Sequence, residues 1–165
     1  MLDSDKPALA QDDMLRLDNQ LCFGLYAATH AITRVYRPLL SQLGVTYSQF
    51  LVLLALWEQD RQTVTSLGAS LFLDSGTLSP VLKRLEASGF ITKTRQSRDE
   101  RVVEVMLTRN GHDLQEQARE VCRKVRCRIG MPEPDIASIR RDLDRVLAAL
   151  NDGAQDANSV AGAAE

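Results

Sequence analysis

The sequence contains three cysteines, Cys22, Cys122 and Cys127, and these side chains have the widest chemical repertoire in the chain. The thiolate, and not the neutral thiol, attacks peroxides and disulfides and binds metals. Because the number of cysteines is odd, they cannot all pair within one chain. Any disulfide is therefore expected to be transient, regulatory or formed between chains.

Cys22 differs from the other two because it lies in an apolar helical stretch, next to Phe23 and one turn before Tyr26. A thiolate in such surroundings needs hydrogen-bond donors to stabilise its charge. Tyrosine hydroxyls supply donors without adding a charge of their own. The opposing interpretation is that a lone cysteine on a helix is a small buried hydrophobic residue.

Metal and cofactor chemistry is not indicated by the pattern. Cys122 and Cys127 are five residues apart, which places them about 140° apart around a helix. The chain has no Cys-x-x-Cys pair, and its two histidines, His30 and His112, stand alone, so zinc binding is not predicted. It also lacks a Gly-rich phosphate loop. We therefore predict no metal, no cofactor and no catalytic residue, and hence no enzyme.

The elements that position the cysteines are mostly helical. Apolar residues recur at helical spacing between residues 13 and 43, and Gly44 is placed to end this first helix. Pro38 is expected to kink its last turns. Thr46 and Gln49 form a capping box that opens the next helix. A first helix so long and so evenly apolar indicates a dimer partner as well as a core.

The middle of the chain has the pattern of a helix-turn-helix followed by a hairpin. A short helix over residues 66–73 precedes a second helix that Asp74 or Ser75 caps, and their tight connection is typical of a helix-turn-helix. The runs 91–95 and 102–107 are rich in β-forming residues and are separated by polar ones. This spacing predicts a β-hairpin with a charged tip.

Charge is distributed unevenly along the chain. The net charge of −2 does not itself indicate nucleic-acid binding. Between Ser75 and Arg101, however, cations exceed anions by about three charges, a surplus suited to phosphates. The six cations are Lys83, Arg84, Lys93, Arg95, Arg98 and Arg101. The alternative interpretation is a solvated charged face.

Two more helices complete the pattern, one from Thr108 to about Ile129 and one that begins near Pro134 and carries an apolar seam to Leu150. We predict a mostly α fold with a small β-hairpin wing (α+β), that is, a winged helix-turn-helix with N- and C-terminal dimerisation helices. The predicted divisions are an N-terminal tail (1–12), dimerisation helices (13–45 and 109–151), a winged helix-turn-helix DNA-binding region (46–108) and a C-terminal tail (152–165).

No stretch of the sequence approaches the roughly 20 apolar residues that cross a bilayer. The acidic N-terminus lacks the basic and apolar regions of a secretory signal. We therefore expect a cytoplasmic protein with no membrane partner.

Two stretches, LGVTYSQFLVLLALWE (43–58) and LFLDSGTLSPVLKRLEASGFITKTRQSRDERVVEVMLT (71–108), resemble the MarR family of dimeric winged-helix regulators. The resemblance covers about residues 17–128. More narrowly, the chain is similar to the organic hydroperoxide sensors of that family, the OhrR type, in their two-cysteine subtype. This narrower likeness rests on Cys22, Tyr36 and Tyr47.

The resemblance implies a homodimer on a pseudo-palindromic, double-stranded DNA operator. Helical spacing leaves a polar face of the second helix of the helix-turn-helix free to enter the major groove. In the wing, the family likeness places Arg101 in the minor groove with Asp99 orienting it, whereas the alternative is a solvated salt bridge. Arg98 and Lys93 are expected to contact phosphates. The predicted DNA-binding residues are Ser75, Thr77, Ser79, Lys83, Arg84, Arg98, Asp99 and Arg101.

The resemblance also implies a redox switch in which an organic hydroperoxide oxidises Cys22. Tyr36 and Tyr47 lie too far along the chain to reach Cys22 within one subunit's helix, so they are expected to hydrogen-bond its thiolate across the dimer. Sensors of the two-cysteine type carry a resolving cysteine late in the chain, which favours Cys127 of the other subunit over Cys122. The resulting disulfide would release the dimer from DNA.

Two other functions fit parts of the pattern. A regulator of the same fold could bind a small aromatic ligand in its dimer cleft, and its response would survive Cys22→Ser. A thiol peroxidase could use Cys22 catalytically, although the helix-turn-helix and wing residues argue against it.

Overall fold

The computed structural model describes the backbone of residues 11–96 and 99–161 and the side chains of residues 13–95 and 102–151. Two short 3-10 helices, Gln11–Leu15 and Leu17–Asn19, come first. The remaining elements, in chain order, are α1 (Leu21–Gln42), α2 (Tyr47–Glu58), β1 (Gln62–Thr63), α3 (Val64–Leu71), α4 (Ser75–Ala87), β2 (Ile91–Gln96), β3 (Asp99–Leu107), α5 (Arg109–Ile129) and α6 (Glu133–Ala161). This is the predicted mostly α architecture with a small sheet.

The chain divides into two compact units, Met1–Val125 and Arg126–Glu165. The first contains α1 to α4, the sheet and most of α5. The second contains the last residues of α5 and all of α6. Within the second unit, Arg126 forms an ion pair with Glu133, which links the end of α5 to the start of α6.

The hydrophobic core of the first unit is built around α2. Phe50, Val52, Leu53 and Leu56 of this helix are almost completely buried. A helix that is apolar on most of its faces must be enclosed by other elements. The enclosing buried side chains come from the other helices and the sheet: Leu40, Leu67, Leu78, Leu82, Leu85, Ile91, Val105, Leu114, Ala118, Val121 and Val125.

The predicted capping box at the start of α2 is confirmed. The Thr46 hydroxyl accepts a hydrogen bond from the Gln49 backbone N–H at 3.4 Å, and the Gln49 side-chain oxygen accepts one from the Thr46 N–H at 2.7 Å. Two backbone donors at the helix start are thus satisfied by side chains. Gly44, with a φ of +70°, turns the chain between α1 and α2, as its sequence position predicted.

Helices α3 and α4 form the predicted helix-turn-helix. Thr63 caps α3 by accepting a hydrogen bond from the Ser66 N–H at 3.0 Å. The sequence left Asp74 or Ser75 as the cap of α4, and the structure selects Asp74, whose Oδ1 accepts from the Thr77 N–H at 2.9 Å. Each helix therefore begins at a side chain that satisfies one of its unpaired donors.

The sheet is antiparallel with the strand order β1-β3-β2. Ile91 of β2 pairs with Leu107 of β3, and the register shifts after Arg95. On the other side of β3, Gln62 pairs with Val105. The predicted hairpin is confirmed, and the short strand β1 anchors it to the first turn of the helix-turn-helix.

The junction between β3 and α5 is closely packed. The Thr108 hydroxyl accepts a hydrogen bond from the Gly111 N–H at 3.1 Å and donates one to the Gly89 carbonyl oxygen at 2.6 Å. The Trp57 indole N–H donates to the Gly111 carbonyl oxygen at 2.9 Å. A Cβ at Gly111 would collide with the Phe90 carbonyl oxygen, so this position requires glycine.

The first helix starts later than its apolar pattern predicts. Gln20 has extended backbone angles and separates the 3-10 helices from α1, which begins at Leu21. The Asn19 side chain donates a hydrogen bond to the Asp13 carbonyl oxygen at 2.9 Å. Asn and Asp side chains favour such local bonds over a continuous helix, so the polar residues before Leu21 interrupt it.

At the other end of the chain, α6 continues to Ala161, into the segment predicted as a tail. That prediction rested on the lack of large apolar residues in residues 152–165. Such a lack limits tertiary packing, but alanine-containing sequence still has a favourable intrinsic helix propensity. The composition of residues 152–165 therefore indicates that they can bury little apolar surface, but it does not determine their local conformation.

Candidate functional site

The outer face of α4 carries the polar residues that the sequence selected. Leu78, Leu82 and Leu85 point into the core and are almost fully buried. This fixes the rotation of the helix and leaves the opposite face in solvent. The helix is continuous through Pro80. The predicted residues on the exposed face are Ser75, Thr77, Ser79, Lys83 and Arg84.

Several polar groups at the start of α4 already have partners within the chain. Asp74 accepts hydrogen bonds from the Thr77 hydroxyl at 2.8 Å and from the Thr77 N–H. These bonds hold the pKa of the Asp74 carboxyl below its usual value. The Ser79 hydroxyl donates to the Ser75 carbonyl oxygen at 2.6 Å. The Asp74 carboxylate thus occupies the N-terminus of α4 and satisfies the Thr77 N–H there.

The hairpin carries four cations, Lys93, Arg95, Arg98 and Arg101. Lys93 of β2 pairs with Glu86 of α4 at 2.8 Å, so this predicted phosphate contact is neutralised within the chain. Arg95 is exposed. Arg98 lies outside the described residues. Asp99 and Arg101 are placed on the backbone of β3, and their proposed bond with each other stays a prediction.

Cys22 is the second residue of α1 and is a free, exposed thiol. Its surroundings are apolar but uncovered, since Leu21 is 62% exposed and Tyr26 is 61% exposed. Phe23 is also exposed. The first turns of α1 therefore present the Cys22 thiol among apolar side chains that this single chain leaves in solvent.

Tyr36 and Tyr47 lie side by side, at the other end of α1 from Cys22. Their ring centroids are 5.2 Å apart, and the Tyr36 ring also packs against Phe50 at 5.6 Å. Fourteen residues of helix, roughly 21 Å, separate Tyr36 from Cys22. The two tyrosines therefore cannot reach the Cys22 of their own chain.

Both phenols hold their protons firmly. Burial raises the pKa of Tyr36 to about 12, and the neighbouring ionisable groups of Cys122 and Tyr47 contribute to the rise. Burial also raises the pKa of Tyr47. At neutral pH each hydroxyl is consequently a donor.

The thiol next to Tyr36 in the same chain is Cys122, a residue that the sequence treated as the less favoured resolving cysteine. It lies half-buried on α5 and packs against the core together with Tyr36 and Tyr47. Cys122 follows Leu114 and Ala118 at helical spacing, and this core-facing position is the signal that could have identified it. Cys127, near the end of α5, is exposed.

Cys122 also borders an apolar cavity of about 510 Å³ between α2 and α5. Leu54, Trp57 and Ala118 form its apolar wall. Glu58, Arg119 and Arg123 are the charged residues among its lining. Of the two aromatic residues Phe50 and Trp57 on α2, Trp57 lines this cavity, whereas Phe50 is part of the core.

Among the described residues, no single helix is long and apolar enough to cross a membrane; only α1 and α2 taken together, at an angle of 78°, satisfy length and composition. Over the same part of the chain, no three His, Cys, Asp or Glu side chains are grouped as metal ligands would be.

A helix-turn-helix with an adjoining hairpin, placed between long terminal helices, defines a winged-helix regulator. Residues 34–118 match the family model of the transcriptional regulator SarA/Rot. The chain belongs to this family of regulators, and its fold is that of the MarR-type winged helix. It is similar to the organic hydroperoxide resistance transcriptional regulator of Bacillus subtilis (strain 168), with 50% identity over 109 residues, 66% of this chain and 74% of that protein.

Solved structures of AbfR of Staphylococcus epidermidis are also similar to this chain. Reduced AbfR bound to DNA is 40% identical with a TM-score of 0.72, covering 84% of this chain and 96% of that one. Disulfide-formed AbfR is 38% identical with a TM-score of 0.60, covering 82% and 96%. The predicted fold, the MarR family with its OhrR-type branch, and a regulator instead of an enzyme are thereby confirmed. The two-cysteine subtype stays a prediction.

Proposed function

We propose that this regulator is a cytoplasmic homodimeric repressor that binds operator DNA when reduced and leaves it when an organic hydroperoxide oxidises Cys22. The observation that carries the proposal is a free, exposed thiol among the uncovered apolar side chains of the first turns of α1. The hydroperoxide resistance name of the Bacillus subtilis relative gives independent support.

Dimerisation is supported by apolar side chains that the single chain leaves in solvent. On α1 these include Leu21 and Tyr26, which lie on different sides of the helix, and on α6 they include Ile139, Leu147 and Leu150, which lie within about 80° of one another around the helix axis. Exposed apolar side chains that follow one helix face are typical of a protein interface. In a dimer, the partner's Tyr36 and Tyr47 would approach Cys22 and donate hydrogen bonds to its thiolate.

The DNA contacts would come from the exposed face of α4 and from the wing. Thr77 and Ser79 lie near the helix start, where side chains reach base edges in the major groove. Lys83 and Arg84 follow on the same helix and are suited to phosphates. Arg98, Asp99 and Arg101 complete the proposed surface by family likeness, and the two-fold symmetry of a dimer would require a pseudo-palindromic operator.

Two chemical steps would release the dimer from DNA: oxidation of Cys22 and formation of a disulfide. The Cys22 thiolate attacks the terminal oxygen of the hydroperoxide, the O–O bond breaks, and the departing alkoxide takes a proton to become an alcohol. Cys22 becomes a sulfenic acid. The thiolate of Cys127 from the partner subunit then displaces the sulfenic hydroxyl, which leaves as water once protonated, and an intersubunit disulfide forms. The existence of a disulfide form of AbfR supports this second step.

Non-reducing electrophoresis combined with operator binding tests the proposal. Purified protein treated with about one equivalent of cumene hydroperoxide should give a dimer-sized band that dithiothreitol reverses, together with loss of DNA binding. Cys22→Ser and Cys127→Ser should each abolish the band, and the matched control Cys122→Ser should retain it. Peroxide-insensitive DNA binding in the wild-type protein would refute the redox switch.

The cavity between α2 and α5 favours one second candidate, a regulator that releases DNA on binding a small aromatic ligand. Its volume of about 510 Å³ and its wall of Leu54, Trp57 and Ala118 suit such a ligand. Salicylate would then weaken operator binding equally in the wild-type protein and in Cys22→Ser. A thiol peroxidase would instead consume peroxide over many turnovers in the presence of a thiol reductant.

A further inference from the structure

Asp60 lies between α2 and β1 and connects this turn to the base of the wing. Its Oδ1 accepts a hydrogen bond at 2.9 Å from the backbone N–H of Leu107, which is 47 positions farther along the chain at the end of β3. The same oxygen accepts from the Arg61 N–H at 2.8 Å. The other oxygen, Oδ2, lies 3.7 Å from Nε2 of His112 at the start of α5. One partly buried carboxylate thus contacts two elements that are distant from it in sequence.

The hydrogen bond to Leu107 continues the sheet where β1 ends. Strand β1 has two residues, and its pairing with β3 extends to Val105. The Asp60 carboxylate supplies the acceptor for the Leu107 N–H two residues beyond that point. Leu107 is 9% exposed, and a backbone N–H in such a position costs free energy if it has no acceptor. The side chain of Asp60 therefore fastens β3 where no β1 residue pairs with it.

The turn that presents the carboxylate has an unusual backbone conformation. Arg61 has a φ of +58°, in the left-handed region that residues with a side chain rarely adopt. Such a conformation costs free energy and persists where surrounding contacts fix it. The hydrogen bond from the Arg61 N–H to Asp60 Oδ1 is one such contact. The turn is therefore held in the conformation that directs Asp60 toward β3.

A movement at the base of the hairpin is amplified along β3. Arg101, the residue proposed to enter the minor groove, lies six residues before Leu107 on this strand, roughly 20 Å away in an extended conformation. If the hairpin swung by about 5° at its base, the backbone at Arg101 would move by roughly 2 Å, whereas the minor groove is about 6 Å wide. Alignment of the wing with the groove therefore depends on how firmly the base is held.

We propose that Asp60 is a positioning residue for DNA binding: its carboxylate holds the Leu107 N–H and thereby fixes the direction of the wing. This inference rests on the proposed minor-groove contact of Arg101, through which Asp60 acts. The contact with His112 is secondary, because an ion pair with an exposed side chain contributes little. Loss of the acceptor weakens the wing's share of DNA binding and leaves the contacts of α4 in place.

The test measures, by fluorescence anisotropy, binding of reduced full-length variants to a labelled DNA duplex that the wild-type protein selects from a random pool. Asp60→Ala removes the acceptor, whereas Asp60→Asn keeps an amide oxygen that accepts from the Leu107 N–H and loses only the charge. Asp113→Ala is the matched control, because it removes an exposed carboxylate, paired with Arg109, from the start of α5. Urea denaturation of each variant establishes that it is folded.

We expect Asp60→Ala to weaken DNA binding about tenfold, as loss of a hydrogen bond to a carboxylate predicts. Asp60→Asn and Asp113→Ala should remain within about twofold of the wild-type protein. Arg101→Ala should weaken binding at least as strongly as Asp60→Ala. Adding Asp60→Ala to Arg101→Ala should have no further effect, because Asp60 acts through the wing.

Weakening by Asp60→Asn or Asp113→Ala equal to that by Asp60→Ala would overturn the role of the acceptor. An equal further loss on adding Asp60→Ala to Arg101→Ala would overturn it as well, since Asp60 would then act outside the wing. If Arg101→Ala weakens binding while Asp60→Ala matches the wild-type protein, the proposed wing contact stands and the positioning role falls. If Arg101→Ala binds like the wild-type protein, both are overturned.

Discussion

At the scale of single residues, the proposed sensing thiol lies far along the chain from the two tyrosines proposed to hydrogen-bond it. Cys22 is exposed near the start of α1, whereas Tyr36 and Tyr47 are half-buried at the far end of that helix. A thiol left in solvent is accessible to an oxidant, and a buried phenol is a rigid and reliably protonated donor. In the proposed dimer, a second subunit would bring the two together.

The raised pKa of Tyr36 leads to a prediction about stability at high pH. In the unfolded chain the phenol ionises near its ordinary value of 10, but in the folded protein it ionises at about 12. The stabilisation is complete below pH 10 and is lost as the pH rises toward 12. Between pH 8 and 11, urea denaturation should therefore show a larger loss of unfolding free energy in the wild-type protein than in Tyr36→Phe, by about 1 kcal/mol, since partial exposure of the ring reduces the effect.

Parallel pH dependence of the two proteins would contradict this reading of Tyr36. Measurements at pH 8 serve as the reference, because Tyr36 is then protonated in both the folded and the unfolded wild-type protein. The difference between the two proteins at pH 8 therefore does not depend on ionisation of Tyr36.

At the scale of elements, an ion pair connects the wing to α4, in addition to the short chain segment between α4 and β2. The ion pair of Lys93 with Glu86 is partly shielded from solvent and connects β2 to the last turns of α4. It holds the hairpin in place beside the helix-turn-helix. It also removes one positive charge from a surface proposed to face DNA phosphates.

Glu86→Gln should strengthen operator binding, because Lys93 is then free to contact a phosphate. We expect a several-fold lower Kd in low salt, and a steeper decline of affinity with salt by about one released counterion. Fluorescence anisotropy with a labelled operator between 50 and 200 mM KCl measures both quantities. Stability should change by no more than about 1 kcal/mol.

Glu116→Gln is the matched control, since it removes the same charge from an exposed pair with Arg119 on α5. If the two variants have equal effects on DNA affinity, net charge alone accounts for the result and Lys93 has no specific role.

At the scale of the whole molecule, the proposed dimer requires the apolar seam of α6. Leu147 is 41% exposed although it belongs to the same helix face as other apolar residues. Leu147→Glu should shift the dimer toward monomer, because a carboxylate would have to be buried without a partner. Light scattering coupled to size-exclusion chromatography, over a range of protein concentrations, measures the shift.

Arg141→Glu introduces the same side chain at an exposed polar position of α6 and should leave the dimer intact. A Leu147→Glu protein that remains fully dimeric at low micromolar concentration would exclude this part of α6 from the interface.

The sequence predicted those features that depend on local chemistry. Thr46 with Gln49, the turn at Gly44, the inward face of α4 and the β2–β3 hairpin all follow from short patterns of caps, glycine and alternating polarity. The family resemblance then supplied the proposed sensing cysteine, Cys22, and the two tyrosines proposed to act on it.

The features that sequence analysis missed depend on tertiary contacts. The packing of Tyr36 and Cys122 against the same core brings together residues 86 positions apart, and no local pattern encodes it. Likewise, the pairing of Lys93 with Glu86 depends on how the hairpin folds back on α4. The later start of α1 was missed because apolar periodicity continues through residues whose polar neighbours prefer turns.

The glycine at the beginning of α5 has a mechanical consequence. Gly111 leaves no space for adjustment against the Phe90 carbonyl, and its own carbonyl is fastened to the Trp57 indole, so the joint resists sliding. Cys122 lies eleven residues farther along the helix, roughly 16 Å away. If α5 tilted by about 4° about Gly111, the Cys122 thiol would move by about 1 Å. The start of α5 is thus fixed against Phe90 and Trp57, so a displacement near Cys122 would be accommodated by a tilt of the helix about this joint.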